Sequence, residues 1–569
     1  MNNLLIKLNL DRTQSLKTPP PIKYDKMKDR NNRGKRPPFK KDFSRGPRRE
    51  FDNTPPKRYN LKELSLELVG KIALLQGVVD GVSQTEGPTL FQVDDGTTTF
   101  TLKGFIAPGK RAFPEIDQGS VITSKAKIKE YNGALEAEII TINKMNPEMA
   151  ESLLKEIAEI QKERAKPTNT EFLIKSKILD KLKPAFIKAA TEIRLAIIQN
   201  RPIIIRHHND ADGYASGYSL EKGILPLVAE QHNSAKAAWE FFVRAPCQAP
   251  FYEIDDSIRD TSSSLRNAAK FSNKMPLVII ADNGSTEQDL FGIQQGKIHG
   301  MDFVVIDHHP YDKEDVISKE VKAHINPFLV GESGSEFSAG MLCTELARFI
   351  SNATNISQIP AMAGLADRIK NPQAMEQYFK LAEKEGYSIE LSSNIATVID
   401  FVSAKLRFME AREYIEVLFG EPRKQQKKLV DLMTPYIRDL EKRGLAIAKS
   451  AAKIEKIGDK TLQTLMVEET YPGFGFYPKP GKAVGLLHDS IQKEKGLDKV
   501  VTAGIMNSAI TFRATDAAGF SVHEFINEID KKIPGAFVEG GGHKNAGSIN
   551  FVPNKKEEIL NLLKSYLKK

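Results

Sequence analysis

Two cysteines in 569 residues, Cys247 and Cys343, stand far apart and form no CxxC pair. That argues against a disulfide framework or a cysteine-built zinc site, and it makes a reducing cytoplasm the expected compartment. Long apolar runs are missing as well. None approaches the roughly 18 to 20 residues of a membrane helix, so no membrane partner is expected. The first ten residues are too polar for a secretory signal. No GxxxxGK[ST] occurs, which leaves a nucleotide-driven motor unsupported. No GxSxG occurs, so there is no nucleophile elbow. Most of the chain also lacks any excess of positive charge. Beyond residue 60, 65 Lys+Arg face 67 Asp+Glu, whereas residues 1–60 hold 17 against 6. The net +9 therefore sits wholly in the N-terminal segment, where a local cationic arm favours polyanions.

Residues 1–60 join that charge to Pro19-Pro20-Pro21, Pro37-Pro38 and Pro55-Pro56, with clusters such as Arg33-Gly34-Lys35-Arg36. Proline and unpatterned charge oppose a packed core, so a disordered basic tail is expected. It reads as a tether for phosphates; the plainer reading is a solubilising tail. Residues 61–147 hold strand candidates at 72–79, 89–93, 98–102, 121–128 and 135–142, punctuated by turn residues such as Asp94-Asp95-Gly96. They predict a small Greek-key β-barrel whose order resembles the OB-fold family. That fold binds single strands through stacked aromatics and a basic groove. Phe91, Phe100, Lys103, Phe105 and Tyr131 are candidates for that surface, although each aromatic singly reads first as barrel core. Residues 148–200 carry apolar positions at helical spacing and form an expected helical connector.

From 201 to 421 strands and helices alternate, which predicts a doubly wound parallel-sheet α/β domain. A helix is expected at 338–351, and a charged linker helix at 422–457. A smaller α/β domain is expected at 458–569. Three apolar runs of the larger domain stop abruptly in charge. Pro202-Ile203-Ile204-Ile205-Arg206 ends in His207-His208-Asn209-Asp210-Ala211-Asp212-Gly213. Leu277-Val278-Ile279-Ile280-Ala281 ends in Asp282-Asn283-Gly284. Val304-Val305-Ile306 ends in Asp307-His308-His309. Such β-branched runs read as strands buried on both faces, and sites form beyond their carboxyl ends. His208, Asp210 and Asp212 alternate, so an extended strand end would project all three together. Carboxylates mixed with imidazoles suit manganese or magnesium better than zinc. The bland alternative is that an Asp after a strand caps the next helix, and that a histidine pair is satisfied structure. Three such strand ends in one domain favour the metal site.

These residues carry a resemblance. His208-Asn209-Asp210-Ala211-Asp212-Gly213, Asp282-Asn283-Gly284, Asp307-His308-His309 and Gly364-Leu365-Ala366-Asp367 resemble, in order, the four motifs of the DHH phosphoesterase superfamily. Gly540-Gly541-Gly542-His543 resembles the glycine-rich motif of the DHH-associated C-terminal domain. With an OB-like domain in front, the chain is most similar to archaeal RecJ-like single-strand exonucleases. The resemblance implies two divalent cations, with manganese preferred and magnesium an alternative. His208 and Asp210 would hold the first; Asp212, His308 and Asp367 the second; Asp282 would bridge them. His309 would meet the scissile phosphate, and Asp307 would orient an imidazole. Gly540, Gly541, Gly542 and His543 would bind the substrate's terminal phosphate or nucleotide on a loop with exposed N–H groups, with Arg513 as a further phosphate partner. Asn283 stands where relatives often have His, which leaves the ligand set intact. Asn326, Ser338 and Gly340 receive no role.

The expected activity is a manganese-dependent hydrolysis of phosphodiester bonds that trims single-stranded DNA or RNA from an end. One rival is a phosphodiesterase for short oligonucleotides or cyclic dinucleotides. Another is a non-catalytic scaffold for replication or DNA repair, and an active enzyme can also dock on such proteins. Every presumed ligand is present, which counts against the scaffold.

Overall fold

The computed structural model describes residues 56–568 apart from 132, 233, 248, 272–273, 312–313, 407–411 and 472–476. The expected disordered tail lies outside the described residues as far as position 55. Residues 57–59 already run beside the first strand: the Leu74 N–H donates to Lys57 O and the Tyr59 N–H to Leu74 O.

Strands β1 (Ile72–Gln84), β2 (Thr89–Asp94), β3 (Thr99–Gly104), β4 (Val121–Tyr131) and β5 (Ala134–Lys144) close into a barrel in the order β1-β2-β3-β5-β4. This is an OB-like fold. Period-two alternation fills it: Ala73, Leu75 and Val79 of β1 point inward against Phe91, Val93, Leu102 and Ile122. Gly77 is needed where β1 crosses β2, because a Cβ there would lie 2.5 Å from Asp94 O. Among the aromatics singled out from sequence, Phe91 is core and Phe100 half-buried. Phe105 and Tyr131 are 55% and 63% exposed. Lys103 pairs with Glu136 and lies over the Tyr131 ring. The helix Pro147–Ala165 packs Leu153 and Ile157 against Val121 of the barrel, and its Gln161 donates to Asp94 Oδ2 at 2.8 Å. The helix Lys177–Ile198 then leads into the next layer.

That layer is a parallel sheet of β6 (Ile203–His207), β7 (Phe242–Pro246), β8 (Leu277–Ala281), β9 (Asp302–Ile306) and β10 (Ala323–Ile325), ordered β10-β9-β8-β6-β7. Its strands are buried on both faces. Ile203, Ile205, Ile279, Val304 and Ile306 join one apolar cluster, with the helices Ala211–Gln231 and Ala339–Ser351. Ile204, Val278, Ile280, Phe303 and Val305 join another on the opposite face, with Tyr252 and Ile293. The chain adds β7 on one side of β6 and β8 on the other. The strand order therefore reverses between β6 and β8, and the crevice beyond their carboxyl ends is the topological switch point.

The strand–helix alternation expected as far as 421 stops at Ile325. Among the described residues no strand follows until Lys453. The intervening helices cover the parallel sheet rather than extend it, and Ala339–Ser351 is buried nearly all round against Ala211–Gln231. The linker helix, expected to reach 457, is Arg423–Ala451. Residues beyond it turn at Gly458 (φ +62°) into a hairpin. The last sheet comprises β11 (Lys453–Ile457), β12 (Lys460–Met466), β13 (Val500–Ile505), β14 (Ala509–Ala514), β15 (Glu539–His543) and β16 (Ala546–Asn550), ordered β11-β12-β13-β14-β16-β15. Helices Val522–Lys532 and Lys556–Leu567 cover one face through Phe525, Ile529, Ile559 and Leu563. The helix Pro480–Lys495 and the end of the linker helix meet the sheet through Leu487, Leu465 and Ala448. Among the described residues, no helix is long and apolar enough to cross a membrane.

One buried ion triad ties the parallel sheet to its helices. Glu221, fully buried on the helix Ala211–Gln231, accepts from Arg244 Nε of β7 at 2.7 Å and from Arg412 Nε at 2.5 Å. Arg244 is only 3% exposed. Removing the carboxylate leaves a buried guanidinium without a counter-charge, which costs about 3–5 kcal/mol. Glu221→Ala is therefore expected to lower the urea-unfolding midpoint sharply; a midpoint equal to that of the unaltered protein would contradict this reading.

Candidate metal centre

The three charged strand ends meet at the switch point. Strand β6 stops at His207, and the chain turns directly into the helix Ala211–Gln231. Asp210 is that helix's N-cap and accepts from the Gly213 N–H at 2.9 Å, while Asp212 lies in its first turn. The expected projection of His208, Asp210 and Asp212 from one extended strand is thus corrected. A tight turn into a helix start aims them, and Asp210 both caps and faces the crevice. Gly213 is obligatory in this turn, since a Cβ would lie 2.1 Å from His208 O. His207, next to the cluster in sequence, turns away. Its ring packs on Tyr214, its Nδ1 meets His208 O at 2.7 Å, and burial followed by the nearby Arg244 charge pushes it down to about 3.

Strand β8 delivers Asp282, 2% exposed and held at φ +62°. A non-glycine residue in the left-handed region costs free energy and persists where the surroundings over-determine it. Asp282 does not cap the following helix, because Thr286 and Asp289 form that capping box. Strand β9 delivers Asp307, His308 and His309. Asp307 Oδ1 accepts from the backbone N–H groups of His308 and His309, at 2.7 and 3.1 Å, and meets His309 Nδ1 at 2.8 Å. Its carboxyl lies below the usual range because His309 and His308 outweigh the effect of burial. His308 Nδ1 lies 3.0 Å from Gly334 O, which leaves its Nε2 facing the crevice. Asp367 follows the C-terminal end of the helix Ile359–Ala366, where the helix dipole disfavours a carboxylate.

Ligand atoms of His208, Asp210 and Asp282 lie within 4.8 Å of one another, and so do those of Asp212, Asp282 and His308. Asp282 belongs to both sets. His208 Nδ1 is 2.9 Å from Asp210 Oδ2 and 3.6 Å from Asp282 Oδ2; His308 Nε2 is 3.4 Å from both Asp282 Oδ1 and Asp367 Oδ2. Electrostatics mark a surplus of negative charge. Burial, then the facing Asp282 and Asp367, pushes the Asp212 carboxyl well above its ordinary range. Burial would lower His208 and His308, but the carboxylates around them hold both well above an ordinary imidazole. Asp212 Oδ2, Asp282 Oδ2 and His308 Nε2 are buried with no hydrogen-bond partner among the described residues. Orphaned donor atoms converging this closely fit divalent cations, and the oxygen-rich donor set suits manganese or magnesium.

The last sheet closes the crevice into a cleft of about 750 Å³ lined by Arg513, Gly541, Gly542 and His543 as well as the acids of the parallel-sheet layer. The glycine motif, which the sequence predicts as a loop, is the edge strand β15. It pairs with β16, so only alternate backbone N–H groups fall outside the ladder. Gly540 is not part of the cleft lining: a Cβ there would lie 2.3 Å from Ser548 O, so strand packing requires the glycine. Gly541 faces open space. His543, expected to bind substrate, reaches further and stacks on His309 with ring centroids 4.7 Å apart; its Nε2 is 3.8 Å from Asp367 Oδ2. Arg513 is half-buried on β14; burial and then Arg368 lower its pKa.

Sequence reading misses the residues that hold this cluster. Ser338 Oγ donates to Asp212 Oδ1 at 2.6 Å, and the Gly340 N–H donates to the same oxygen at 3.1 Å. A Cβ on Gly340 would lie 2.8 Å from that oxygen. Asn326 Nδ2 donates to Ser285 Oγ and to His309 O, both at 2.9 Å. Lys479 Nζ donates to Asn209 O at 3.0 Å and so ties the segment after the linker helix to the first motif. Ser338 is legible only as a helix start; its partner lies 126 residues away.

An open α/β sheet with clustered acids and imidazoles at its switch point, covered by a second sheet, is a two-layer arrangement whose donor set fits divalent cations. The residue matches make the class specific. The model of the DHH family, N-terminal domain, matches residues 202–367. An uncharacterised protein of Methanocaldococcus jannaschii is 34% identical over 530 residues, 88% of this chain and 69% of that protein. A solved DHH-domain structure, described as belonging to a family of ribosomal proteins, is 34% identical with a TM-score of 0.69, covering 74% of this chain and 99% of that one. The structure of RecJ in complex with Mn2+ from Thermus thermophilus is 14% identical with a TM-score of 0.48, covering 70% of this chain and 56% of that one. The chain belongs to the DHH phosphoesterase family.

Partners of a ligand commonly set metal affinity within a factor of about 10 to 100. Ser338→Ala leaves Asp212 with one donor fewer, so manganese affinity at the site is expected to fall about 10-fold or more. Titration followed by manganese EPR reads this directly, and equal affinity in the two proteins would refute it.

Proposed function

We propose that this protein is a cytoplasmic, manganese-dependent exonuclease that hydrolyses single-stranded nucleic acid from an end. The observation that carries the reading is the pair of donor sets joined at Asp282. His208 and Asp210 would hold one cation, Asp212, His308 and Asp367 the other, and Asp282 both. Divalent cations held by these residues would, when bound, activate water and neutralise charge on the phosphoryl oxygens.

The chain's own groups do the rest. Asp307 fixes the orientation of the His309 ring through Nδ1, and Nε2 would donate to a phosphate oxygen only when it carries the ring's second proton. Arg513 and Lys482 place further positive charge along the cleft. Gly541, open on its Cα face, lets a phosphate or sugar approach the backbone of β15. Gly542 and His543 complete the wall that receives the terminal nucleotide. A polymeric substrate is supported by the basic segment at residues 1–60 and by the OB-like barrel with its exposed Phe105 and Tyr131.

The test uses single-stranded DNA and RNA labelled at either end, incubated with manganese and either the unaltered protein or Asp282→Asn. Stepwise shortening from one end is expected, with turnover lowered at least about 100-fold in the variant, since a shared ligand is lost. Binding without shortening in both proteins would overturn the enzyme reading. Cleavage confined to oligomers of a few nucleotides would overturn the polymer reading.

A further inference from the structure

The same cleft gathers a second cluster of side chains able to bind a metal ion. Ligand atoms of His308, His309 and His543 also lie within 4.8 Å of one another. Their rings form a compact trio, with centroids 4.6 Å apart for His308–His309, 4.7 Å for His309–His543 and 5.2 Å for His308–His543. Two of the three are prepared as ligands. His308 Nδ1 is engaged by Gly334 O at 3.0 Å and His309 Nδ1 by Asp307 Oδ1 at 2.8 Å. A histidine whose one nitrogen donates to a carbonyl or carboxylate presents the lone pair of the other, which is the usual support of a metal-bound imidazole. The presented Nε2 of His308 is fully buried and without a hydrogen-bond partner among the described residues. Asp367 Oδ2, 3.4 Å from His308 Nε2 and 3.8 Å from His543 Nε2, stands ready as an oxygen donor.

The donor chemistry differs from that of the Asp282-centred pair. Three imidazole nitrogens and one carboxylate oxygen match a tetrahedral zinc-type ion, whereas manganese prefers more oxygen and a higher coordination number. The trio also spans two layers: His308 and His309 follow β9, while His543 ends β15. The three meet only where the last sheet covers the switch point. An ion bound there would hold the cleft shut, occupy the free nitrogen of His309 and compete for His308.

We propose that His308, His309 and His543 form a zinc-selective site that locks the closed cleft and antagonises the manganese-supported reaction. The metal site itself follows from the geometry, and its inhibitory effect rests on the proposed activity. Both buried cysteines lie elsewhere, so no thiolate belongs to the site.

Cobalt(II) is the probe, because tetrahedral cobalt absorbs visible light far more strongly than octahedral cobalt. The full-length protein, carrying manganese, is titrated with cobalt and then with zinc, so that cobalt at the trio takes His308 from one manganese ion. One equivalent of strongly absorbing cobalt is expected, displaced by one equivalent of zinc. His543→Asn is expected to lose that band and one zinc equivalent by equilibrium dialysis, while manganese EPR shows the Asp282-centred site still filled and so the variant still folded. An unchanged cobalt band in His543→Asn, or an absence of the band in the unaltered protein, would overturn the site. In a separate arm, zinc is added to the manganese-supported degradation reaction. Inhibition that tracks occupancy of the cobalt-competent site supports the antagonism, and full activity at full zinc occupancy overturns it. A protein that binds cobalt as described but degrades nothing would refute the nuclease reading and leave the metal site standing.

Discussion

Negative charge gathered where water scarcely reaches is the constraint on which this structure turns. Asp212, Asp282 and Asp307 are at most 2% exposed, and Asp210 and Asp367 face the same crevice. Burying ionised carboxylates together costs several kcal/mol each unless hydrogen bonds or counter-charges offset it. The fold supplies part of the compensation. Two donors meet Asp212 Oδ1, two backbone N–H groups meet Asp307, and a helix N-terminus receives Asp210. Among the described residues, Asp212 Oδ2, Asp282 Oδ2, Asp307 Oδ2 and His308 Nε2 remain without a hydrogen-bond partner. Two local rules are broken within this cluster: a left-handed aspartate follows β8, and a carboxylate stands at a helix C-terminus. Such violations are expected where function rather than stability selects the residue.

The arrangement of the layers explains why the charge can be held at all. A parallel sheet buried on both faces is a rigid base, and its strand order opens a crevice at the reversal between β6 and β8. His208, Asp282, Asp307 and His308 leave the sheet within two residues of the strand ends, so their positions inherit the sheet's rigidity, while Asp210 and Asp212 are held by the helix start that follows β6. Side chains then cross between this layer and the last sheet with its helix Pro480–Lys495. His543 reaches Asp367, Lys479 reaches Asn209, and Arg368 reaches Asp489 at 3.1 Å. The cleft is a joint product of two layers, and neither lines it alone.

The fold and the cluster are legible in the sequence to different depths. The barrel strands and the three buried strands can be read because alternation and β-branched runs are local signals, and the acids sit visibly at their ends. The helical half between Ile325 and Lys453 is less legible, because the expected alternation of strands runs past the point where the sheet is complete. The supporting residues are illegible for a different reason. Ser338, Gly340 and Asn326 act on partners far away in sequence, and a serine before a helix looks the same whether or not it also holds an aspartate. The glycine motif is visible, but its secondary structure is not: three glycines suggest a loop, and pairing with β16 makes them a strand.

Asp282 is proposed to join two cation sites. Anomalous diffraction from crystals grown with manganese tests it most directly. Two peaks about 3.5–4 Å apart are expected, both within bonding distance of the Asp282 carboxylate. A single peak, or a pair to which Asp282 does not bond, would contradict it.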